Sequence, residues 1–483
     1  MQRTWAISGV DLHLDLGGPR VRAALETGLR EAASSGRLRA GTRLPSSRAL
    51  AADLGVARNT VAEAYAQLVA EGWLTARQGS GTRVAVRVDG RDARPLGGAL
   101  GEPSAARVRY DLRPGSPDVS AFPRTAWLRA ARTALAEAPF AALDYSDPRG
   151  QPELRAALAE YLARARGVRA SPDRIVVCSG FTHGFSLLCQ VLRHRGAGTL
   201  ATEDHGLPSV PAAATAAGLG LRRLPVDEEG AVVEGLGDAD AAVLTPAHQF
   251  PLGMLLAPRR RALAVDWAVS GERLIIEDDY DGEFRYDRHP VGALQALAPD
   301  HVVYAGTASK TLAPGLRLAW LVVPPALVEP LVAARMLAER HSGVIDQLTL
   351  AELIRSGAYD RHVRRARLAY RRRRDRLVTE LRRRAPQAQV SGIAAGLHAL
   401  VDLPPGRSEA EVIARASQRG LGITGLASFD HGSTHHRQAL VVGYAKPPEH
   451  AFTAAVARLT AVLGEPGDVP EPRRMRRSSA GEY

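Results

Sequence analysis

The chain has 483 residues, enough for two to four domains, which excludes a peptide or mini-protein. It carries 63 lysines and arginines against 51 aspartates and glutamates, and only two of these basic residues, Lys310 and Lys446, are lysines. A guanidinium does not lose its proton and act as an amine nucleophile, so the two lysines are candidates for chemistry that needs an amine.

Cys178 and Cys189 are too few for a disulfide framework or a four-thiolate metal site, and nothing near them has metal-ligand spacing. The N-terminus has no apolar signal core, and no run of about 18 apolar residues occurs. We therefore expect a soluble, cytoplasmic protein with no metal site and no membrane partner.

Composition divides the chain into four parts. Residues 85–108 lack hydrophobic periodicity and are rich in glycine, proline, alanine and arginine, which predicts a linker between a small unit, 1–84, and a large unit, 109–464. A turn-like Gly-Glu-Pro-Gly sequence and four arginines then predict a flexible basic tail over 465–483.

The small unit is predicted to contain three helices followed by a hairpin. The first has Val21, Leu25 and Leu29 on one face, the second follows the N-cap sequence Pro45-Ser46-Ser47 and ends at Gly55, and the third runs from Arg58 to Gly72. Two short strands flanking the glycine-rich turn 78–82 complete the unit. The order is helix, helix, helix, wing.

This order fits two interpretations. The unit is either a plain three-helix bundle with solvated arginines or a DNA-binding domain whose third helix enters the major groove with its polar N-terminus. In the second case the wing and the start of the second helix contact the DNA backbone. The expected DNA contacts are Arg43, Ser47, Arg48, Arg58, Asn59, Thr60, Arg77, Gln78, Gly79, Ser80 and Thr82.

Three sequence motifs favour DNA binding. They are Gly41-Thr-Arg-Leu-Pro-Ser-Ser-Arg-Ala-Leu-Ala, Leu54-Gly-Val-Ala-Arg-Asn-Thr-Val and Gly79-Ser-Gly-Thr. In this order and spacing they resemble the winged helix-turn-helix of GntR-type transcription regulators over about residues 19–84. The resemblance implies that the small unit binds double-stranded DNA.

The large unit alternates short apolar runs with helical patterns. The runs 174–178, 241–244, 273–276, 301–304 and 319–323 are typical of buried strands, so we predict an α/β domain with a mostly parallel sheet. Ligands of such sheets bind where the strands end.

Polar residues follow three of these runs. The first is followed by Ser179-Gly-Phe-Thr-His-Gly184, an anion site at a helix N-terminus; the third ends in Glu277-Asp-Asp-Tyr280; the fourth leads to Thr307-Ala-Ser-Lys310 and Arg317. Taken singly, each is more simply a turn, a solvated loop or a surface lysine. Together they supply the amine, carboxylate, phenol and anion site that pyridoxal 5′-phosphate (PLP) requires.

Residues 111–464 resemble fold type I aminotransferases, which have a large PLP subdomain and a small C-terminal subdomain. The whole chain resembles MocR-type regulators, which fuse a GntR-like domain to an aminotransferase-like domain. The motifs are Arg113-Pro-Gly-Ser-Pro-Asp, Tyr145-Ser-Asp-Pro-Arg-Gly, Thr245-Pro-Ala-His-Gln-Phe-Pro-Leu-Gly, Glu277-Asp-Asp-Tyr-Asp-Gly-Glu-Phe-Arg-Tyr and Gly306-Thr-Ala-Ser-Lys-Thr-Leu-Ala-Pro-Gly-Leu-Arg.

The resemblance implies a role for each cofactor residue. Lys310 carries PLP as an aldimine, Asp278 stays ionised against the pyridine nitrogen, and Tyr280 contacts the 3′-oxygen. A nearby arginine and partial desolvation should lower the pKa of Lys310. The phosphate would be held by Gly180, Phe181, Thr182, Thr307, Ser309 and Arg317, and Tyr145 would reach the cofactor of a dimer partner.

Two departures weaken the case for an enzyme. Val441 stands where these aminotransferases carry an arginine for the substrate carboxylate, and Leu207 stands where an aromatic residue usually covers the cofactor ring. Without a carboxylate anchor an amino acid loses affinity and orientation.

Three functions remain open. The first is a homodimeric transcription regulator with no firmly catalytic residue, similar to members that control vitamin B6 genes. Its effector is either PLP bound at Lys310 or a small molecule that reacts with that PLP. The second is a working aminotransferase with an attached DNA-binding module. The third is a repressor whose large domain has lost its cofactor.

The positive charge is concentrated outside the expected DNA-binding unit. Residues 361–384 hold 12 arginines and two acidic residues, and we expect a helix with a solvated basic face there rather than a second DNA surface. Lys446 matches no cofactor position and is expected at the surface.

Overall fold

The computed structural model describes residues 3–7, 10–14, 21–77, 81–85, 108–286, 291–433 and 437–465. The chain forms two compact units, 1–103 and 104–483. The predicted DNA contacts Gln78, Gly79 and Ser80, most of the predicted linker and nearly all of the predicted tail lie outside the described residues. Within the described ranges, no helix combines the length and apolar character needed to cross a bilayer.

The small unit follows the predicted order of three helices and a wing. The helices are α1 (Val21–Ser34), α2 (Ser47–Leu54) and α3 (Arg58–Ala70), and the wing is the antiparallel pair β3 (Leu74–Arg77) and β4 (Gly81–Val84). Before them, β1 (Arg3–Ile7) and β2 (Val10–Leu14) form an antiparallel hairpin that the sequence analysis missed. The predicted wing turn was two residues too long, because Gly81 and Thr82 are already paired with β3.

Local signals in the sequence define the ends of α2. The Ser46 hydroxyl accepts a hydrogen bond from the backbone N–H of Ala49 at 3.2 Å, and Gly55 ends the helix with a φ of 63°. Leu25, Leu54 and Leu68 from the three helices are fully buried. The predicted apolar faces therefore form one small core.

The large unit is built on a seven-stranded sheet in the order β6-β14-β13-β12-β11-β7-β8. Only β14 is antiparallel to its neighbours, so the mostly parallel sheet is confirmed. The elements up to this sheet's last strand are β5 (Tyr110–Asp111), α4 (Arg124–Glu137), α5 (Pro152–Arg166), β6 (Ile175–Cys178), α6 (Phe181–His194), β7 (Thr199–Glu203), α7 (Ser209–Ala216), β8 (Gly220–Leu224), β9 (Val226–Asp227), β10 (Gly230–Ala231), β11 (Ala241–Leu244), α8 (Pro258–Ser270), β12 (Leu274–Asp278), β13 (Val302–Thr307) and β14 (Ala319–Val322).

A second, four-stranded antiparallel sheet, β15-β16-β19-β18, forms the C-terminal part of the large unit. It shares a core with α11 and α13, in which Leu377, Val401, Leu440 and Leu459 are buried. The remaining elements are α9 (Pro325–Ala338), α10 (Val344–Arg355), α11 (Ala358–Arg384), β15 (Gln389–Ser391), β16 (Ala399–Asp402), α12 (Glu409–Gln418), β17 (Leu421–Gly422), β18 (Thr424–Gly425), β19 (Ala439–Val442) and α13 (Glu449–Gly464).

The arginine-rich segment is the helix α11, as predicted. Tyr370 and Leu377 on one face are buried, whereas most of the arginines are exposed. Arg373 is an exception, because its guanidinium is buried and pairs with Asp118 at 2.8 Å. Lys446 is partly exposed and forms an ion pair with Asp111 at 2.8 Å.

Candidate functional site

The candidate site lies where β6, β12 and β13 end, as expected for a parallel sheet. Lys310 follows β13 and donates a hydrogen bond from Nζ to the carbonyl of Gly115 at 2.6 Å. Burial lowers the pKa of Lys310, and the charges of Asp278 and Asp281 oppose that shift. The direction agrees with the sequence analysis. Of the two causes expected there, desolvation is the one that acts, and no arginine is among the groups that shift this pKa.

The carboxylates at the end of β12 point in different directions, since side chains alternate along a strand. Glu277 accepts hydrogen bonds from the backbone N–H groups of Leu294 and Gln295 at 2.7 and 2.9 Å. Asp279 forms a buried ion pair with Arg166 at 2.6 Å. Of the three consecutive acids, only Asp278 is close enough to Lys310 for their charges to interact strongly.

Asp278 has an unusual pKa in the chain without a ligand. Burial raises the pKa of Asp278 to about 8, although the charge of Lys310 acts in the opposite direction. The expectation that Asp278 is ionised applies to the carboxyl facing a bound pyridinium, and it stays a prediction. A protonated pyridine nitrogen against this carboxyl would supply the cation that favours its charged form.

Tyr280 belongs to a buried group of polar side chains that the sequence analysis missed. Its hydroxyl oxygen lies 3.0 Å from Nδ1 of His248, and the same nitrogen lies 2.9 Å from Oδ2 of Asp281. His248 lies in the motif that begins at Thr245, and Asp281 directly follows Tyr280. Nothing in the sequence indicates that His248 contacts Asp281 and Tyr280.

The predicted phosphate residues surround the N-terminus of α6. Gly180 is the N-cap, with a φ of 97°, and Phe181 and Thr182 begin the helix. Arg317, itself in the left-handed region with a φ of 54°, donates from its guanidinium to the carbonyl of Ser179 at 2.5 Å. Backbone N–H groups, a helix dipole and a guanidinium thus surround one point, which is an arrangement for binding an anion.

The hydroxyls of Thr307 and Ser309 lie at the end of β13 and are hydrogen bonded to each other at 2.9 Å. Thr307 is paired with Ala319 of β14, which is paired in turn with Cys178 at the end of β6. The register therefore brings these hydroxyls to the same edge of the sheet as the start of α6.

An acidic side chain that the sequence analysis missed lies at this anion site. Glu339, just after α9, accepts a hydrogen bond from the hydroxyl of Ser179 and lies 3.4 Å from Nδ1 of His183. The Ser342 hydroxyl is 3.1 Å from the same serine hydroxyl. Glu339 is 160 residues from Ser179 in the chain, so only the tertiary fold reveals the contact.

Tyr145 lies at the surface of its own chain. The side chain is 73% exposed, and the Arg340 guanidinium lies 4.2 Å from its ring centroid. The ring of His341 is 6.1 Å away. The described contacts of Tyr145 are therefore with the segment after α9 rather than with Lys310.

The position expected for a carboxylate-binding arginine is apolar. Val441 on β19 is fully buried in a cluster with Leu252, Leu400 and Leu426. Arg437, the basic residue that precedes this strand, forms a bidentate ion pair with Asp402 at 2.5 and 2.7 Å. Leu207 lines a cavity together with Asp278, so the position expected to hold an aromatic residue is at the site.

The described residues predicted to contact DNA lie at the surface of the small unit. Arg58 and Asn59 are exposed at the N-terminus of α3, and Thr60 is half-buried. Arg43, Ser47 and Thr82 line one groove between the helices and the wing. Arg48 and Arg77 are exposed.

The residues in the large unit fit PLP. Lys310 offers an amine and Tyr280 a phenol, and the start of α6 offers an anion site closed by Arg317. Asp278 offers a buried carboxyl, and among the described residues the cation that acts on it is that amine. Gly180 has a φ of 97°, which favours glycine, and a β-carbon there would come within 2.9 Å of that guanidinium and displace it.

Comparisons with known proteins agree with both units. The model for bacterial regulatory proteins of the gntR family matches residues 22–84, and the model for aminotransferase class I and II matches residues 115–423. The pyridoxine biosynthesis transcriptional regulator PdxR of Corynebacterium glutamicum is 33% identical, covering 89% of this chain and 93% of that protein. The probable rhizopine catabolism regulatory protein MocR of Rhizobium meliloti is 34% identical, covering 86% of this chain and 88% of that protein.

Solved structures show the fold of the large unit. An archaeal alanine:glyoxylate aminotransferase superposes with a TM-score of 0.67 at 23% identity, covering 73% of this chain and 90% of that one. The α-aminoadipate aminotransferase LysN of Thermus thermophilus superposes with a TM-score of 0.65 at 24% identity, covering 74% of this chain and 92% of that one. The fold is that of fold type I aminotransferases.

Proposed function

Because the chain belongs to the MocR-type transcription regulators, in which a GntR-family DNA-binding domain is fused to an aminotransferase class I and II domain, we propose that PLP bound at Lys310 is its effector. PLP would shift a conformational equilibrium of the large unit and thereby change the affinity for an operator. The protein acts in the cytoplasm as a homodimer on two half-sites.

The residues of the large unit support this use of PLP. When bound, PLP supplies an aldehyde that forms a Schiff base with an amine, and an electron-withdrawing ring. Lys310 would provide the amine, Asp278 would face the pyridine nitrogen, and Tyr280 would donate to the 3′-oxygen. The phosphate is held by Gly180, Phe181, Thr182, Thr307, Ser309 and Arg317.

The observation that carries a sensing role, rather than transamination, is the environment of Val441. This residue is fully buried among apolar side chains, and Arg437 is already paired with Asp402. An amino acid would leave its carboxylate against that apolar cluster without a partner, which is costly. PLP itself needs no such anchor, so the effector is the cofactor and not an amino acid substrate.

Exposed apolar side chains support the homodimer. Leu128 and Leu135 on α4 are 64% and 54% exposed, and Phe140 beyond this helix is 95% exposed. Such residues close together are typical of an interaction surface. Tyr145 lies five residues after Phe140, so a partner seated there would meet it.

The controlled genes are proposed from a relative. The name of the Corynebacterium glutamicum protein assigns it to pyridoxine biosynthesis. If this chain responds to PLP, genes that make or salvage vitamin B6 are the natural target, since the effector then reports on their product.

Spectroscopy separates the alternatives. PLP added to the purified protein should produce a visible absorbance band that is lost in Lys310→Ala, and amino acids should not sustain its conversion to the pyridoxamine form. Sustained turnover in a screen of common amino acids would favour the aminotransferase. A wild-type protein without the band would favour a repressor that has lost its cofactor.

A further inference from the structure

A buried pair of side chains lies behind Tyr280, the residue expected to meet the 3′-oxygen of the cofactor. Nδ1 of His248 is 2.9 Å from Oδ2 of Asp281 and 3.0 Å from the hydroxyl oxygen of Tyr280. The side chains of His248 and Asp281 are only 3% and 2% exposed. One ring nitrogen therefore serves two partners out of contact with water.

The position of one proton decides what Tyr280 can do. A buried carboxylate only accepts hydrogen bonds, so Asp281 requires a proton on Nδ1 of His248. The same N–H then points between Asp281 and the tyrosine oxygen, which accepts. The tyrosine O–H can also donate to Asp281. Because the histidine proton already serves that carboxylate, the O–H remains available for the 3′-oxygen of the cofactor. In the other tautomer, a lone pair of His248 would face the carboxylate at 2.9 Å.

The surroundings hold the histidine ring in place. His398 packs against it with ring centroids 5.1 Å apart, and Nε2 of His398 is hydrogen bonded to the carbonyl of Pro251 at 3.1 Å. Burial lowers the pKa of His398 to about 3, so this neighbour is neutral. At Gly396, a β-carbon would collide with both His248 and Asp281, which shows how closely the backbone encloses the pair.

Resting on the proposed binding of PLP, we infer that His248, oriented by Asp281, is a positioning residue that directs the hydroxyl proton of Tyr280 to the 3′-oxygen of the cofactor. With PLP bound, a donor on this oxygen would weaken its attraction for a proton at the Lys310 nitrogen. Lys310 would then lose that proton at a lower pH than without the donor.

Other charged groups near this linkage come from several elements. They are Asp278 at the end of β12, Asp281 in the following loop, Glu203 at the end of β7 and the two histidines His248 and His398. Burial raises the pKa of Glu203 to about 7 and that of Asp278 to about 8. Because these groups can also shift the linkage, the test must isolate the tyrosine hydroxyl.

A double-mutant cycle on the full-length protein loaded with PLP isolates it. The measurement is the pH midpoint at which the visible band changes, in wild type, His248→Gln, Tyr280→Phe and the double variant. Glutamine places its amide near Nε2 and leaves the Nδ1 position without a donor. Asparagine places its amide near Nδ1, so His248→Asn is the matched rescue variant. His301→Gln is the remote control, because His301 precedes β13 whereas Lys310 follows it.

We expect His248→Gln to raise the midpoint by roughly 0.5 to 1 unit, the size of one lost hydrogen bond. His248→Asn and His301→Gln should stay near wild type, and His248→Gln should add nothing in the Tyr280→Phe background. An equal shift with and without the tyrosine hydroxyl, or no shift at all, overturns the positioning role.

Absence of the band in the wild type would instead overturn the proposed binding of PLP. If His248→Gln does not fold, a wild-type midpoint in Tyr280→Phe overturns the inference just as directly.

Discussion

The guanidinium of Arg317 lies directly against the backbone of Gly180, where a β-carbon would come within 2.9 Å of it. This contact closes the anion site at the start of α6. Arg317 is held there by its hydrogen bond to the carbonyl of Ser179. Two residues that are 137 positions apart in the sequence therefore meet at the proposed phosphate site.

Gly180→Ala should displace Arg317 and weaken PLP binding by roughly tenfold or more, since a charge-assisted contact to the phosphate would be lost. Fluorescence titration of the purified protein with PLP measures the dissociation constant. Gly196→Ala is the matched control, because Gly196 has a φ of 96° against 97° for Gly180, but a β-carbon there would meet no atom within 4 Å. Equal affinity in the two variants would contradict the assigned anion site.

Glu339→Gln should strengthen PLP binding by roughly three- to tenfold. The carboxylate of Glu339 is hydrogen bonded to Ser179 at the anion site, so its negative charge opposes that of a phosphate. The same titration measures the change, with Glu329→Gln on the exposed face of α9 as a control for net charge. Weaker binding in Glu339→Gln would mean that this carboxylate helps to assemble the site.

The stability of the cofactor-free protein should fall as the pH rises to about 8 from about 6.5, above which histidines are neutral in both the folded and the unfolded chain. Burial raises the pKa of Glu203, Glu277 and Glu283 to about 7 and that of Asp278 to about 8, so in this window the folded chain holds protons that the unfolded chain has released. Asp278→Asn removes one such proton and should make the decline shallower. Urea unfolding at a series of pH values measures the free energy of unfolding. The same dependence on pH in Asp278→Asn and wild type would contradict the raised pKa of Asp278.

Arg58→Ala should weaken operator binding and reduce its salt dependence by about one charge, because Arg58 is exposed at the N-terminus of α3. Asn59→Ala should instead relax sequence preference by roughly 1–3 kcal/mol at one base pair. Titrations with operator and random duplexes at several salt concentrations separate the two effects. Arg37→Ala, an exposed arginine after α1, is the control.

The sequence contains much of this arrangement. Lys310 is conspicuous because lysine is rare in the chain, and the strands before Ser179 and Lys310 are recognisable from their apolar runs. The sequence also places acids at the end of β12, but only side-chain alternation and the partners Arg166 and Leu294 show that Asp279 and Glu277 point away from the site.

Other features of the site depend on contacts between distant segments. Glu339 reaches Ser179, and His248 reaches Asp281, only because helices and loops far apart in the chain pack together. The pKa of Asp278 depends on burial, which composition does not reveal. The raised pKa of Asp278 in the cofactor-free chain was not predicted for that reason.

The central claim is that PLP at Lys310 controls DNA binding. Its most direct test is the affinity of the full-length protein for the DNA upstream of its own gene, with and without PLP, in wild type and Lys310→Ala. We predict that PLP changes the affinity of the wild type by at least about fivefold, the lower end of typical allosteric coupling, and leaves Lys310→Ala unchanged. The same affinity with and without PLP in a wild-type protein that shows the visible band would contradict the account.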